Sequence, residues 1–257
     1  MFSKTFIIGI LAISSTVLSS VTAAAIANPT PAALDITASS DGRNGSRLAA
    51  AGDIWLTPHD HYSSSVGVLG CKVDVNHFAY WPEAISCNDF CVEVSYQGRS
   101  ALFMHLDNSA SAHDVSFENW NYLETGFPAS EKNHIKPSEG FTAQYKTVDP
   151  NNCRSLIKTA SGKLPLSAAT AINFVSNCVL NQPNSWVAKN FELWNIYDSQ
   201  CNLGHNEICE TPDFKAGFNQ AKCAHTLGSQ DKLVGQDVYN ILYPSGQSEE
   251  IKGPGEA

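Results

Sequence analysis

Apolar and polar residues alternate with period two between Ala101 and Asp107. Leu102, Met104 and Leu106 therefore share one face of a predicted strand, and Phe103, His105 and Asp107 the other. Asn108-Ser-Ala-Ser-Ala then supplies a turn, and the period changes to that of a helix. Ser116 stands at the N-cap position, Glu118 lies in the first turn, and Phe117, Trp120 and Leu123 fall on one stripe. Asp107 closes the strand and Asp114 precedes the helix, so a strand and a helix meeting on one rim would bring the two carboxylates together.

Further short β-type runs cover 53–56, 66–75, 91–96 and 142–148, broken by Gly, Pro, Asn and Ser. Regularly spaced short strands predict a small barrel. The pattern from Ser155 to Cys223 reads as helical. Pro165-Leu166-Ser167 starts a run in which Ala168, Ile172, Val175 and Val179 share a face, and a second run aligns Val187, Phe191 and Trp194. Leu233 to Tyr243 is a last amphipathic piece, and 244–257 a polar tail.

The start of the chain changes the picture of where it works. Lys4, the apolar run Phe6 to Ile13 and the small-residue step Val21-Thr22-Ala23 form the pattern of a signal peptide over 1–23, too short for a membrane span. Residues 24–52 read as a flexible leader carrying one glycosylation sequon at Asn44. Loss of 1–23 removes only Lys4, leaving 15 basic against 25 acidic residues and a net charge of −10. Such a chain is a poor partner for nucleic acid or an anionic membrane. Cys71, Cys87, Cys91, Cys153, Cys178, Cys201, Cys209 and Cys223 make an even set, and in a secreted chain four disulfides are the expectation. Eight cysteines allow 105 pairings.

A strand ending in Asp, a short loop and an (Ile/Leu/Phe)-Asp-(Leu/Met)-Ser step resemble the double-psi β-barrel group. It includes barwin, the expansins, the rare-lipoprotein-A-like proteins and the family 45 endoglucanases. His113-Asp114-Val115-Ser116 resembles the expansin His-Phe-Asp-Leu-Ser step, and Gly140 to Val148, followed by Cys153, resembles the closing expansin strand. The resemblance spans Val66 to Cys153, about a third of the 257 residues. It implies a six-stranded double-psi barrel over 53–153, while the periodicity beyond it predicts a helical, cysteine-rich extension over 154–243. Nothing after the barrel is similar to the expansin β-sandwich domain.

The resemblance also implies chemistry. In the endoglucanases of this group the general acid occupies the Asp of the helix-start step, here Asp114, and Asp107 matches the strand-end Asp of the rare-lipoprotein-A-like pattern. An inverting glycosidase holds two such carboxyls about 6.5–9.5 Å apart. The plainer reading gives Asp114 a supporting role at a helix N-terminus and Asp107 a role in fixing the loop. His105, His113, Tyr80, Trp81 and Trp55 are candidates for contact with sugar, through flat aromatic faces or hydrogen bonds, with Tyr80-Trp81-Pro82 read as a loop. Two metal sets, His105/Asp107/His113 and His59-Asp60-His61, have sensible spacing but are common by chance among eight histidines. No phosphate loop, dinucleotide fingerprint or nucleophile elbow is present, so no cofactor is expected. The expectation is a secreted expansin-like or barwin-like protein that binds carbohydrate or cell wall through the barrel groove without turnover. The alternatives are an extracellular effector or inhibitor binding another protein, and a glycan-cleaving enzyme using Asp114 as general acid.

Overall fold

The computed structural model describes residues 50–252, and the expected signal peptide, most of the leader and Asn44 lie outside them. Six strands close into a barrel: β1 (Ala51–His59), β2 (Phe78–Trp81), β3 (Cys91–Tyr96), β4 (Arg99–Asn108), β5 (His113–Ser116) and β6 (Phe141–Thr147), in the order β1-β5-β2-β4-β3-β6. The pairs β1–β5 and β2–β4 are parallel and the other four antiparallel. Closure leaves no barrel edge to be covered.

Two cores explain why the strands read as they do. Ile54, Leu56, Ala79, Trp81, Val92, Val94, Phe103, Val115, Phe141 and Ala143 form one cluster, to which every barrel strand contributes, so it is the barrel interior. Helix α1 (Phe117–Thr125) adds Phe117, Trp120 and Leu123 to it, as its stripe predicts. Trp120 is fully buried and donates its indole N–H to the Leu56 carbonyl at 3.1 Å. Phe78, Tyr80, Cys91, Met104 and Leu106 turn outward into a second core shared with the C-terminal half. All four residues of β2 are thus buried, which removes the alternation a half-exposed strand would show. This is why Tyr80-Trp81 reads as a loop in the sequence but is a central strand.

The predicted strand at 66–75 is not one. The segment makes 3₁₀ turns at Gly70–Lys72 and Val75–His77, with single bridges from Val68 to Leu166 and Val73 to Ile157. Val68, Leu69 and Val73 are buried because the segment runs between barrel and C-terminal half, not because it joins a sheet.

The C-terminal half is mixed rather than helical. β7 (Leu164–Ser167), β8 (Phe191–Ile196) and β9 (Gly204–Cys209) form a three-stranded sheet, accompanied by α2 (Ile172–Asn181) and α3 (Trp186–Lys189), and β10 (Tyr239–Leu242) pairs with β11 (Gln247–Glu250). Leu164 to Ser167 is wholly buried and pairs with β8, so the helix signalled at Pro165 begins only at Ile172. Asn190 closes α3, which leaves Phe191 and Trp194 to a strand although their spacing with Val187 is helical. The stretches read as an amphipathic piece and a polar tail supply β10 and β11.

All eight cysteines pair, as Cys71–Cys201, Cys87–Cys178, Cys91–Cys153 and Cys209–Cys223. Cys91–Cys153 ties β3 to the turn after β6, and Cys87–Cys178 ties the loop before β3 to α2.

Candidate functional site

The sequence candidates separate into two groups on opposite sides of the barrel wall. The cause is a one-residue step in register: Ala79 of β2 pairs with His105 of β4, but the next residue, Tyr80, pairs with Asp107. Leu106 is the extra residue of a β-bulge, and bulges re-aim side chains. The single face predicted for Phe103, His105 and Asp107 is therefore broken. His105 stays inside with Trp81, whereas Asp107 turns to the side of Tyr80.

Outside the barrel, one row of paired residues crosses four strands: Thr57 of β1, Asp114 of β5, Tyr80 of β2 and Asp107 of β4. Asp114 belongs to a strand, not to a helix terminus, and its Oδ1 accepts from the Thr57 hydroxyl at 2.5 Å. Ser116 caps α1 by position only, since its hydroxyl donates to the Asn76 carbonyl. Asp107 accepts from the Ser63 hydroxyl at 2.5 Å and from the Asn108 N–H at 2.8 Å. The Tyr80 hydroxyl accepts the Ser63 N–H and donates to the His61 carbonyl at 3.0 Å. Burial pushes the Tyr80 phenol well above its ordinary range, so it stays protonated. Tyr80 thus fills the row between the two carboxylates, and the segment His61 to Ser64 is strapped across it.

Inside, at the barrel end where β2 and β4 finish, Trp81 is the hub. His105 lies 5.8 Å from its ring, His113 meets it edge-on at 5.3 Å, and Tyr145 edge-on at 5.0 Å. A cavity of about 240 Å³ opens here, lined by Trp81, Glu83, Asp89, Val92, His105 and Tyr145 among others. His113 Nε2 stands 3.8 Å from Glu83. Trp81 and His105 are 4% and 3% exposed, yet Trp81 Nε1 and His105 Nε2 have no hydrogen-bond partner. Burial lowers the His105 pKa against the opposing pull of the Asp107 and Trp81 carbonyls and the Glu83 and Asp107 charges, so its ring is neutral.

No family model, curated protein or solved structure matches this chain.

Two shallow depressions share Asp53, Glu93, Ser95 and Gln144 on the outer face of β1, β6 and β3, and Tyr145 joins the first of them to the mouth cavity. Trp55 is 55% exposed on β1, opposite Thr142 and away from Trp81. Neither histidine set gathers a metal site: among the described residues, no three of His, Cys, Asp and Glu converge in one. The site residues that the sequence reading missed are Tyr145, Glu83 and Asp89. Tyr145 was findable, since it continues the inward alternation of Phe141 and Ala143, but Glu83 and Asp89 lie in a loop without periodicity.

Proposed function

We propose that this chain is a secreted protein of the double-psi barrel kind that binds carbohydrate of a cell wall through the mouth of its barrel, without cleaving it. The observation that carries the reading is the gathering of His105, His113 and Tyr145 around Trp81 at a cavity rimmed by Glu83 and Asp89. Aromatic edges and faces suit the C–H surfaces of a pyranose, and carboxylates at the rim accept its hydroxyls. The double-psi assignment draws on two parallel pairs, β1–β5 and β2–β4, meeting through the antiparallel pair β2–β5. Secretion draws on four disulfides, which persist in oxidising surroundings.

The reading without turnover rests on the Asp107 and Asp114 row. A glycosidase needs substrate and water between its two carboxyls, and here buried Tyr80 is the residue between them in the row. Co-sedimentation with cellulose, chitin and insoluble β-glucan tests the proposal. Retention on at least one polymer is expected, without release of reducing ends. Full recovery in the unbound fraction on all three, beside a retained control protein, would move the function to a protein partner.

A further inference from the structure

Two residues that line the mouth cavity, Trp81 and His105, each carry a buried polar atom without a partner in the protein, Nε1 and Nε2. A buried polar group without a partner is destabilising, and two such groups on residues of one small cavity mark a place that a hydroxyl, of water or of a ligand, would serve. Their chemistry is complementary. The indole N–H only donates. Burial keeps the His105 ring neutral, and in the tautomer that carries its proton on Nδ1 the unpartnered Nε2 offers a lone pair. One group fits both atoms at once: a hydroxyl, accepting from Trp81 and donating to His105.

Size and charge narrow the ligand. At about 30 Å³ per water, a cavity of about 240 Å³ has room for about eight waters, or one pyranose ring with its hydroxyls. Its lining contains Glu83 and Asp89 but no lysine or arginine, which disfavours anionic sugars. One wall, Tyr145, also lines the depression that continues over Asp53, Glu93, Ser95 and Gln144. A chain entering the cavity therefore has a polar path on which to lie.

We propose that the barrel mouth takes the terminal unit of a neutral glycan, one hydroxyl of which is held between Trp81 Nε1–H and His105 Nε2, with the following units passing over Tyr145 onto the β1/β6/β3 face. This rests on the carbohydrate-binding reading above and adds the end of the chain, and the pair of atoms that holds it, to that reading.

The test uses cellotriose, chitotriose and laminaritriose as soluble probes beside the three insoluble polymers, and follows the Trp81 indole N–H resonance, assigned in wild type through its connection to the Trp81 backbone resonances. One trisaccharide should shift that resonance and compete with polymer. Trp81→Phe and His105→Phe, each keeping an aromatic ring, should weaken trisaccharide binding about tenfold, the effect of one lost hydrogen bond. The wild-type resonance decides the matter even where a variant fails to fold. Wild type that binds polymer while no trisaccharide moves the Trp81 resonance would overturn the end-binding site and leave the carbohydrate reading standing. So would folded variants that bind trisaccharide as tightly as wild type. Wild type that binds neither polymer nor trisaccharide would overturn both.

Discussion

Asp107 and Asp114 lie in one row of the barrel wall, paired from opposite sides to Tyr80. Two strand spacings put their backbones ~9.5 Å apart, close to the carboxyl separation of an inverting glycosidase. Each carboxylate already serves a neighbouring hydroxyl, Asp114 that of Thr57 and Asp107 that of Ser63, and buried Tyr80 lies between the two in the row.

Asp114→Asn should therefore behave as a change in the barrel wall. The amide keeps an oxygen for Thr57 but exchanges a charged acceptor, worth about 1.5–3 kcal/mol, for a neutral one, worth about 0.5–1.5. Urea unfolding should show a loss of about 1 kcal/mol, and co-sedimentation with polysaccharide should be unchanged. Asp114→Ala leaves the Thr57 hydroxyl without this partner and should lose more. Reducing ends released by wild type and not by folded Asp114→Asn would make Asp114 a catalytic acid instead.

Much of the barrel is legible in the sequence, because β1, β3, β4 and β6 carry the alternation or β-type composition that a barrel wall imposes. What is not legible follows from burial on both faces. β2 sits between two cores and has no polar face to mark it, while β5 is four residues long and merges with the helix signal of Ser116 and Glu118. The same limit divides the candidate site. His105, His113 and Trp81 meet as sugar-contact candidates, but nothing local in the sequence announces the Leu106 bulge that sends Asp107 to the other side. In the C-terminal half, spacings of three and four residues mimic a helix where Leu164 to Ser167 and Phe191 to Ile196 are in fact strands.

The disulfides should differ in weight. Cys209–Cys223 closes a separation of 14 residues and Cys91–Cys153 one of 62. By chain entropy the first stabilises by about 3 kcal/mol and the second by about 4. Cys91 and Cys153 are also fully buried, so replacing both with alanine opens space in the core. Urea midpoints should fall further for Cys91→Ala with Cys153→Ala than for Cys209→Ala with Cys223→Ala. Equal midpoints would mean that the long link stabilises no more than the short one does. Peptide mapping without reductant should return the four observed pairs and no alkylated thiol.

Gly140 fixes where β6 begins. Its φ is +146°, and a Cβ there would lie 2.7 Å from both the Leu56 carbonyl oxygen and Trp55 Nε1. Gly140→Ala should strain the backbone and part β6 from β1, costing on the order of 1–3 kcal/mol. Gly98→Ala is the control: its φ of +79° is also left-handed, but a Cβ would meet nothing within 4 Å. That substitution should cost only the backbone term, about 1 kcal/mol. Equal losses in urea unfolding would remove the Leu56 contact as the cause.

The last prediction concerns pH and reads His105 directly. Burial holds its pKa below the ordinary 6.5, although the Asp107 and Trp81 carbonyls and the charges of Glu83 and Asp107 act the other way. Asp89 on the cavity wall and His113 across Trp81 are the other titratable groups facing this end of the barrel. Above about pH 6.5 the ring is neutral folded or unfolded, and contributes no pH dependence. As pH falls below that value the unfolded chain takes up the proton first, so stability declines until the lower folded pKa is passed. Glu207 acts in a separate window. The backbone N–H and ring of His225 hold its pKa at about 2, so its contribution is complete above the ordinary 4.5 and is lost as pH falls toward about 2. Urea unfolding measured stepwise from pH 7 to pH 5 should therefore show a decline in wild type that is smaller in His105→Phe. Trisaccharide affinity should weaken once the folded ring itself becomes protonated, because a protonated Nε2 has no lone pair for the hydroxyl. An identical slope in the variant would assign the decline to other groups and remove His105 as the site of uptake.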